Sequence, residues 1–230
     1  MERLVLFDID GTLIRTQSGY IPFNEALLKT FGIAGDIRSV IPDGNTDPLI
    51  VRDIFAKADL DIQIAVEQWE QFAINLQASY DNAVAEGKTT VRALPGALDL
   101  LKALSINQRF SQGVVTGNFQ VTARVKLKAA GLGAYLALGA YGCDSPHRPD
   151  LPAIAKRRWQ QATGASIPPQ RCLIIGDTPK DLYAARRNGM KCILVGTGRY
   201  PVEELRYADP DACLPDLCDT EEIVAMLSRL

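Results

Sequence analysis

The chain has 230 residues, of which 47% are apolar and 23% charged, and its net charge is −2 at pH 7. Such values are typical of a globular protein with one large domain, or one domain with an insertion, and they supply ample apolar material for a core. A molecule this close to neutral has no overall field that attracts DNA or an acidic membrane, so we expect neither as a partner.

The location of the protein is predicted from three further features. The apolar run before Asp8 has only four residues, which is too short for a signal peptide, and no apolar stretch approaches the length of a membrane span. The five cysteines are scattered without zinc-binding spacing, as is usual for free thiols in a reducing compartment. We therefore expect a cytoplasmic protein.

Short apolar runs alternate with amphipathic helical segments along most of the chain. This alternation predicts an α/β fold with a doubly wound parallel sheet. The five predicted strands are Leu4–Phe7, Gly113–Thr116, Tyr135–Leu138, Cys172–Ile175 and Cys192–Val195.

Residues 16–90 break this rhythm, because helical patterns replace the strands there. Pro22 opens a helix that Gly32 closes, and Thr46 or Asp47 caps a second helix with Pro48 in its first turn. A third apolar stripe follows at helical spacing. Its members are Ile62, Val66, Trp69, Phe72, Leu76 and Tyr80. We predict a small all-helical domain at 16–90, inserted into an α/β core formed by 1–15 and 91–230.

The first strand ends in two carboxylates, Asp8 and Asp10, followed by Gly11 and Thr12. Residues two apart in a strand point to the same side, so both carboxylates can meet in one small volume. Like charges held together need a cation or a shared proton to compensate them. The pair therefore indicates either a metal site or an acid/base couple.

Other strand ends carry residues that suit a bound phosphate. In open α/β sheets, ligands bind outside the carboxyl ends of the strands. Hydroxyls and Gly-flanked turns at helix starts bind anions, and a hard cation can bridge carboxylates to the same anion. Oxygen ligands without a His/Cys cluster favour Mg²⁺ over Zn²⁺. These strand-end segments are Thr116-Gly117-Asn118, His147-Arg148-Pro149 and Gly176-Asp177-Thr178-Pro179-Lys180-Asp181.

Together these segments resemble the four motifs of the haloacid dehalogenase superfamily, in order and in spacing, across nearly the whole chain. The helical insertion between the first two motifs is similar to the cap of the phosphoglycolate-phosphatase-like branch. The resemblance implies that Asp8 is the nucleophile that forms an aspartyl-phosphate. It implies that Asp10 is the general acid and base, and that the backbone carbonyl of Asp10 binds Mg²⁺.

The remaining site residues follow from the same resemblance. Asp8 and Asp177 are the expected Mg²⁺ carboxylates, while Asp181 is either a further ligand or support for the ligands, or simply the first-turn acid of its helix. Thr116, Gly117 and Asn118 are expected to bind the phosphoryl oxygens. Where the family usually has Lys, this chain offers Arg148; Lys156 is the competing candidate, and we favour Arg148 because anion sites precede helix starts.

We therefore expect a Mg²⁺-dependent phosphatase that acts on a small phosphorylated metabolite, as a monomer or homodimer. A sugar phosphomutase of the same branch shares every motif and stays open as an alternative. A hydrolytic dehalogenase lacks an acid at the position of Asp10, which argues against that chemistry. A non-catalytic interaction protein that retains the fold is the third alternative, because Arg148 departs from the family pattern.

Overall fold

A computed structural model describes residues 3–230 of the chain. Its central sheet has six parallel strands in the order β5-β4-β1-β6-β7-β8. The strands of this sheet are β1 (Arg3–Phe7), β4 (Phe110–Val115), β5 (Gly139–Ala140), β6 (Cys172–Gly176), β7 (Lys191–Val195) and β8 (Ala212–Leu214). This arrangement confirms the predicted doubly wound α/β fold.

Successive residues of β1 point to opposite faces of the sheet, as the strand period of two requires. Val5 and Phe7 enter the apolar core on one face, whereas Leu4 and Leu6 enter the core on the other. All four side chains are fully buried. A strand covered on both faces needs such a continuous apolar run, which explains why β1 was recognisable from the sequence.

Helices cover both faces of this sheet. One face packs against α5 (Ala97–Ile106), α6 (Gln120–Ala129) and α10 (Thr220–Arg229), and the other against α7 (Leu151–Thr163), α8 (Pro179–Arg187) and α9 (Val202–Arg206). None of the helices in the described part of the chain has the length and apolar character that a membrane crossing requires.

The segment between the first two motifs folds into helices with their own apolar core. These helices are α1 (Tyr20–Phe31), α2 (Asp47–Lys57), α3 (Gln63–Val66) and α4 (Trp69–Ala85). Gly32 ends α1 in the left-handed conformation, and the Thr46 hydroxyl caps α2 by accepting from the Leu49 N–H, as predicted. The third predicted stripe is two helices, because the backbone of Gln68 leaves the helical region between them.

Several short strands differ from the prediction. The predicted strand Tyr135–Leu138 is wrong, because the chain pairs only at β5, where a Cβ on Gly139 would lie 2.6 Å from the Val114 carbonyl oxygen. Bulky β-branched side chains are therefore excluded from that point. The edge strand β8 and the antiparallel pair β2 (Ile14–Gln17) and β3 (Thr90–Ala93) were not predicted. β2 and β3 carry the chain into and out of the helical segment, whose exact bounds stay a prediction.

Candidate active site

The predicted site residues come together at the carboxyl end of the central sheet. The Asp8 N–H still donates to the Ile175 carbonyl at 2.9 Å, which fixes the start of the loop after β1 beside the end of β6. A cavity of about 320 Å³ opens here under the helical segment. The predicted residues that line it are Asp8, Asp10, Thr116, Gly117, Asn118, Arg148 and Asp177.

Three buried carboxylates form the floor of the site. Asp8, Asp177 and Asp181 each offer an oxygen that lies within 4.8 Å of the other two. Burial raises the pKa of Asp8 to about 7, although Arg148 opposes the rise. Burial, reinforced by the charge of Asp8, raises the pKa of Asp177 to about 9. A cluster this poor in compensating charge suits a hard divalent cation with oxygen ligands.

Asp181 has a structural role in this cluster. Its Oδ2 accepts from the Thr178 N–H at 3.0 Å, which is one half of a capping box at the start of α8, and it also accepts from the Thr178 hydroxyl at 2.8 Å. Its Oδ1 accepts from Arg148. The first-turn acid that the sequence suggested is therefore present, and direct metal ligation by Asp181 stays a prediction.

Arg148 occupies the position next to the proposed nucleophile. It is buried in a short 3₁₀ turn ahead of α7, and its Nη2 lies 3.0 Å from Asp8 Oδ1. Burial alone would lower the pKa of Arg148, but the charges of Asp181 and Asp8 raise it overall. Its buried Nε has no hydrogen-bond partner among the described residues. The Lys156 side chain is half-buried on α7 and is not among the residues that line the cavity.

Asp10 is held by hydrogen bonds from three side chains. Its Oδ1 accepts from the Thr16 hydroxyl at 3.0 Å, and its Oδ2 accepts from Asn118 Nδ2 and from Lys126 Nζ, both at 2.8 Å. The side chain of Asp10 remains 39% exposed. Burial is the largest single influence and raises the pKa of Asp10, but the Lys126 charge and the hydrogen bonds from Lys126, Asn118 and Thr16 together outweigh it, so the pKa is below its ordinary value.

The segment after β4 faces Asp10 directly. Thr116 Oγ1 accepts from the Asn118 N–H at 3.3 Å and from Asn118 Nδ2 at 2.8 Å. Thr116 is thus buried against the loop that starts α6, while the Asn118 side chain reaches Asp10 and does not cap the helix. The arrangement presents a hydroxyl and a turn to the cavity, as anion binding requires.

The helical segment closes over this loop through Asp47. The Asp47 N–H donates to the Gly117 carbonyl at 2.7 Å, and Asp47 Oδ2 accepts from the Phe119 N–H at 2.7 Å. A Cβ on Gly117 would lie 2.0 Å from the Asn45 carbonyl oxygen, so only glycine permits this approach. Burial raises the pKa of Asp47 to about 6, with Lys126 opposing the rise.

The sequence analysis missed Lys126 and Gly198. Lys126 lies on the same face of α6 as the buried Thr122 and Ala123, and a lysine on a buried helix face is the sequence signal that could have indicated it. Gly198 carried no such signal, because it contacts Asp177 only through the tertiary fold. His147, the only histidine, is exposed and is not among the cavity residues.

The family follows from comparison with known proteins. A family model of haloacid dehalogenase-like hydrolases matches residues 5–186. The chain belongs to this family. Within it, the chain is 29% identical over 214 residues to "Probable phosphatase IndB" of Dickeya dadantii, covering 91% of this chain and 88% of that protein. It is 25% identical to a phosphoglycolate phosphatase of Pseudomonas fluorescens, covering 86% and 71% of the two chains.

Solved structures of the family agree with the fold. A predicted phosphoglycolate phosphatase from Haemophilus somnus superimposes with a TM-score of 0.70 at 20% identity, covering 97% of this chain and 98% of that one. The protein is therefore a haloacid dehalogenase-like hydrolase, and it is similar to family members that are named phosphatases and phosphoglycolate phosphatases. This identification agrees with the prediction from the four motifs.

Proposed function

We propose that the protein is a Mg²⁺-dependent phosphatase that hydrolyses a small organic phosphate through an aspartyl-phosphate on Asp8. The buried cluster of Asp8, Asp177 and Asp181 beside Arg148 carries this proposal. It combines a nucleophile, ligands for a hard cation and a cation that can clamp a phosphate. We further propose that residues 16–90 act as a cap and that the protein is cytoplasmic, because its five cysteines form no disulfide among the described residues.

The proposed Mg²⁺ ligands are the carboxylates of Asp8 and Asp177 and the backbone carbonyl of Asp10, with Asp181 as an additional ligand. Clustered, buried carboxylates with raised pKa values are chemically suited to this ion. When bound, Mg²⁺ supplies positive charge that neutralises the carboxylates and the phosphoryl oxygens.

The reaction has two displacements at phosphorus. In the first, an Asp8 oxygen bonds to phosphorus, the bond from phosphorus to the leaving oxygen breaks, and Asp10 gives that oxygen a proton. In the second, Asp10 takes a proton from water, the water oxygen bonds to phosphorus, and Asp8 leaves as a carboxylate. Inorganic phosphate is the product, and both protein groups, Asp8 and Asp10, return to their starting state.

Arg148 and the loop after β4 bind the phosphoryl group in this proposal. The buried, unpartnered Nε of Arg148 is a donor that a phosphoryl oxygen can satisfy. Thr116, Gly117 and Asn118 add a hydroxyl and turn donors from the loop after β4. The lowered pKa of Asp10 suits its role as the base in the second step. A phosphate dianion bound beside it favours the protonated form that the first step uses.

The test is a panel of phosphate esters assayed for phosphate release with and without Mg²⁺. Wild type is expected to release phosphate only when Mg²⁺ is present, and EDTA is expected to abolish the activity reversibly. Asp8→Asn is expected to lose at least about a thousandfold in turnover while it keeps its fold. Asp81→Asn, an exposed change on α4, is the control and should retain activity.

Three outcomes would contradict parts of this proposal. Full phosphatase activity in Asp8→Asn would exclude the aspartyl-phosphate. Isomerisation of a sugar phosphate in place of phosphate release would identify a mutase, and inactivity on the whole panel would favour a non-catalytic interaction protein.

A further inference from the structure

Lys126 is a buried charge that the proposed reaction does not use. Only 8% of its side chain is exposed. Its Nζ donates to Asp10 Oδ2 at 2.8 Å and to Asn118 Oδ1 at 2.7 Å, and it lies 5.4 Å from the centre of the Tyr80 ring. Burying an ammonium in this way is costly unless its donors are paired, and both of its strong contacts are to residues of the site.

We propose that Lys126 is a positioning residue that fixes the Asp10 carboxylate for proton transfer to the leaving oxygen. This inference rests on the proposed function, since it needs Asp10 to act as the acid. Lys126 and Asn118 both donate to the same Asp10 oxygen. Lys126 also donates to Asn118 Oδ1, which holds the Asn118 amide in the orientation in which Asn118 Nδ2 donates to Asp10. One ammonium therefore sets two of the three hydrogen bonds that orient Asp10.

The third hydrogen bond comes from a different part of the chain. Thr16, in β2, donates to the other carboxylate oxygen, Asp10 Oδ1. With Lys126 removed, Asp10 keeps the Thr16 bond, but its Oδ2 loses the ammonium, and the Asn118 amide loses the donor to its Oδ1 and keeps only its bond to Thr116 Oγ1. The carboxylate is then free to rotate away from the leaving oxygen, and misplacing a catalytic group by about 1 Å can cost about a hundredfold in rate.

The signature of this role is a selective loss on esters with poor leaving groups. An alkoxide leaves phosphorus slowly unless it is protonated, whereas the nitrophenolate of para-nitrophenyl phosphate leaves without an acid. The parameter to compare is kcat/KM, because it reports only the steps up to formation of the aspartyl-phosphate. Subsequent hydrolysis, in which Asp10 acts as a base, is common to all esters and affects kcat instead.

The experiment compares Lys126→Met with Lys128→Met, a change of an exposed lysine on the same helix. Both are assayed on para-nitrophenyl phosphate and on whichever of glycerol phosphate, phosphoglycolate and glucose phosphate wild type turns over fastest. We expect Lys126→Met to lose about a hundredfold in kcat/KM on the alkyl ester and less than about fivefold on the aryl ester. Lys128→Met should match wild type on both.

Lys126→Gln extends the test to a variant that keeps a donor and disturbs the fold less. It should show the same selectivity with a smaller loss, even where Lys126→Met fails to fold. Equal losses on both esters in either folded variant, or no loss, would overturn this inference while the proposed function stands. A wild type inactive on both esters would overturn the proposed function itself.

Discussion

Replacement of Asp47 by Asn should stabilise the protein in a strongly pH-dependent way. Asp47 is 7% exposed, and its Oδ2 accepts from the Phe119 N–H at 2.7 Å. The Asn oxygen can accept the same hydrogen bond without a charge. The change therefore isolates the effect of burying a carboxylate where the helical segment meets the loop after β4.

The magnitude follows from the pKa of Asp47, which burial raises from 3.8 to about 6. A rise of about two pH units corresponds to about 3 kcal/mol between the two protonation states. Because the pKa of Asp47 is higher in the folded protein, its carboxyl group contributes this free energy to the stability of the wild type in full below about pH 4. The contribution is lost as the pH rises through about 6. About 2 kcal/mol of the loss should develop between about pH 4.5 and pH 7.5.

Urea unfolding in EDTA, followed by far-UV circular dichroism, measures the effect. At about pH 7.5 we expect Asp47→Asn to exceed wild type in unfolding free energy by up to about 3 kcal/mol, which corresponds to roughly 6 to 12 °C in Tm for a chain of this size. The control is Asp53→Asn, on the same helix with a side chain 38% exposed, whose effect should stay within about 0.5 kcal/mol. A pH-independent difference between wild type and Asp47→Asn would refute the burial argument.

Three further predictions concern the carboxylate cluster. A Cβ on Gly198 would lie 1.7 Å from Asp177 Oδ2, so Gly198→Ala should displace that carboxylate and lower both kcat/KM and Mg²⁺ affinity by about a hundredfold. The control is Gly133→Ala, whose added Cβ meets only ordinary contacts. Unchanged Mg²⁺ dependence in Gly198→Ala would contradict the assignment of Asp177 as a Mg²⁺ ligand. Mg²⁺ binding measured by calorimetry should tighten as the pH rises through about 7 towards 9, because the raised pKa values of Asp8 and Asp177 mean that protons must leave first; affinity that is constant with pH would exclude these ligands. Arg148→Met should lower the unfolding free energy by about 3 to 5 kcal/mol, because it leaves buried carboxylates without their cation. Arg148→Lys, by contrast, should fold and raise KM about tenfold. An unchanged unfolding transition in Arg148→Met would argue against the buried ion pairs.

The strand-end residues were predictable because a simple rule of topology connects them. β1, β4 and β6 are parallel neighbours, so their carboxyl ends meet at one edge of the sheet. Asp8, Thr116 and Asp177 therefore come together although they are far apart in sequence. The short but uninterrupted apolar runs before them made the strands recognisable.

Residues that reach the site from elsewhere could not be predicted in the same way. The role of Asp47 depends on how the helical segment closes on Gly117, and no local pattern encodes that contact. Gly198 matters only because its backbone lies against Asp177. Lys126 was detectable in principle, but its partner Asp10 is 116 residues away and a charge on a helix is usually solvated.

The stereochemical course at phosphorus tests the central claim most directly. A phosphate ester made chiral with oxygen isotopes, chosen from the panel, is hydrolysed by wild type in isotopically labelled water, and the configuration of the released phosphate is determined. Two in-line displacements, first by Asp8 and then by water, predict net retention of configuration. Inversion would mean that water attacks the ester directly, and it would contradict Asp8 as the nucleophile.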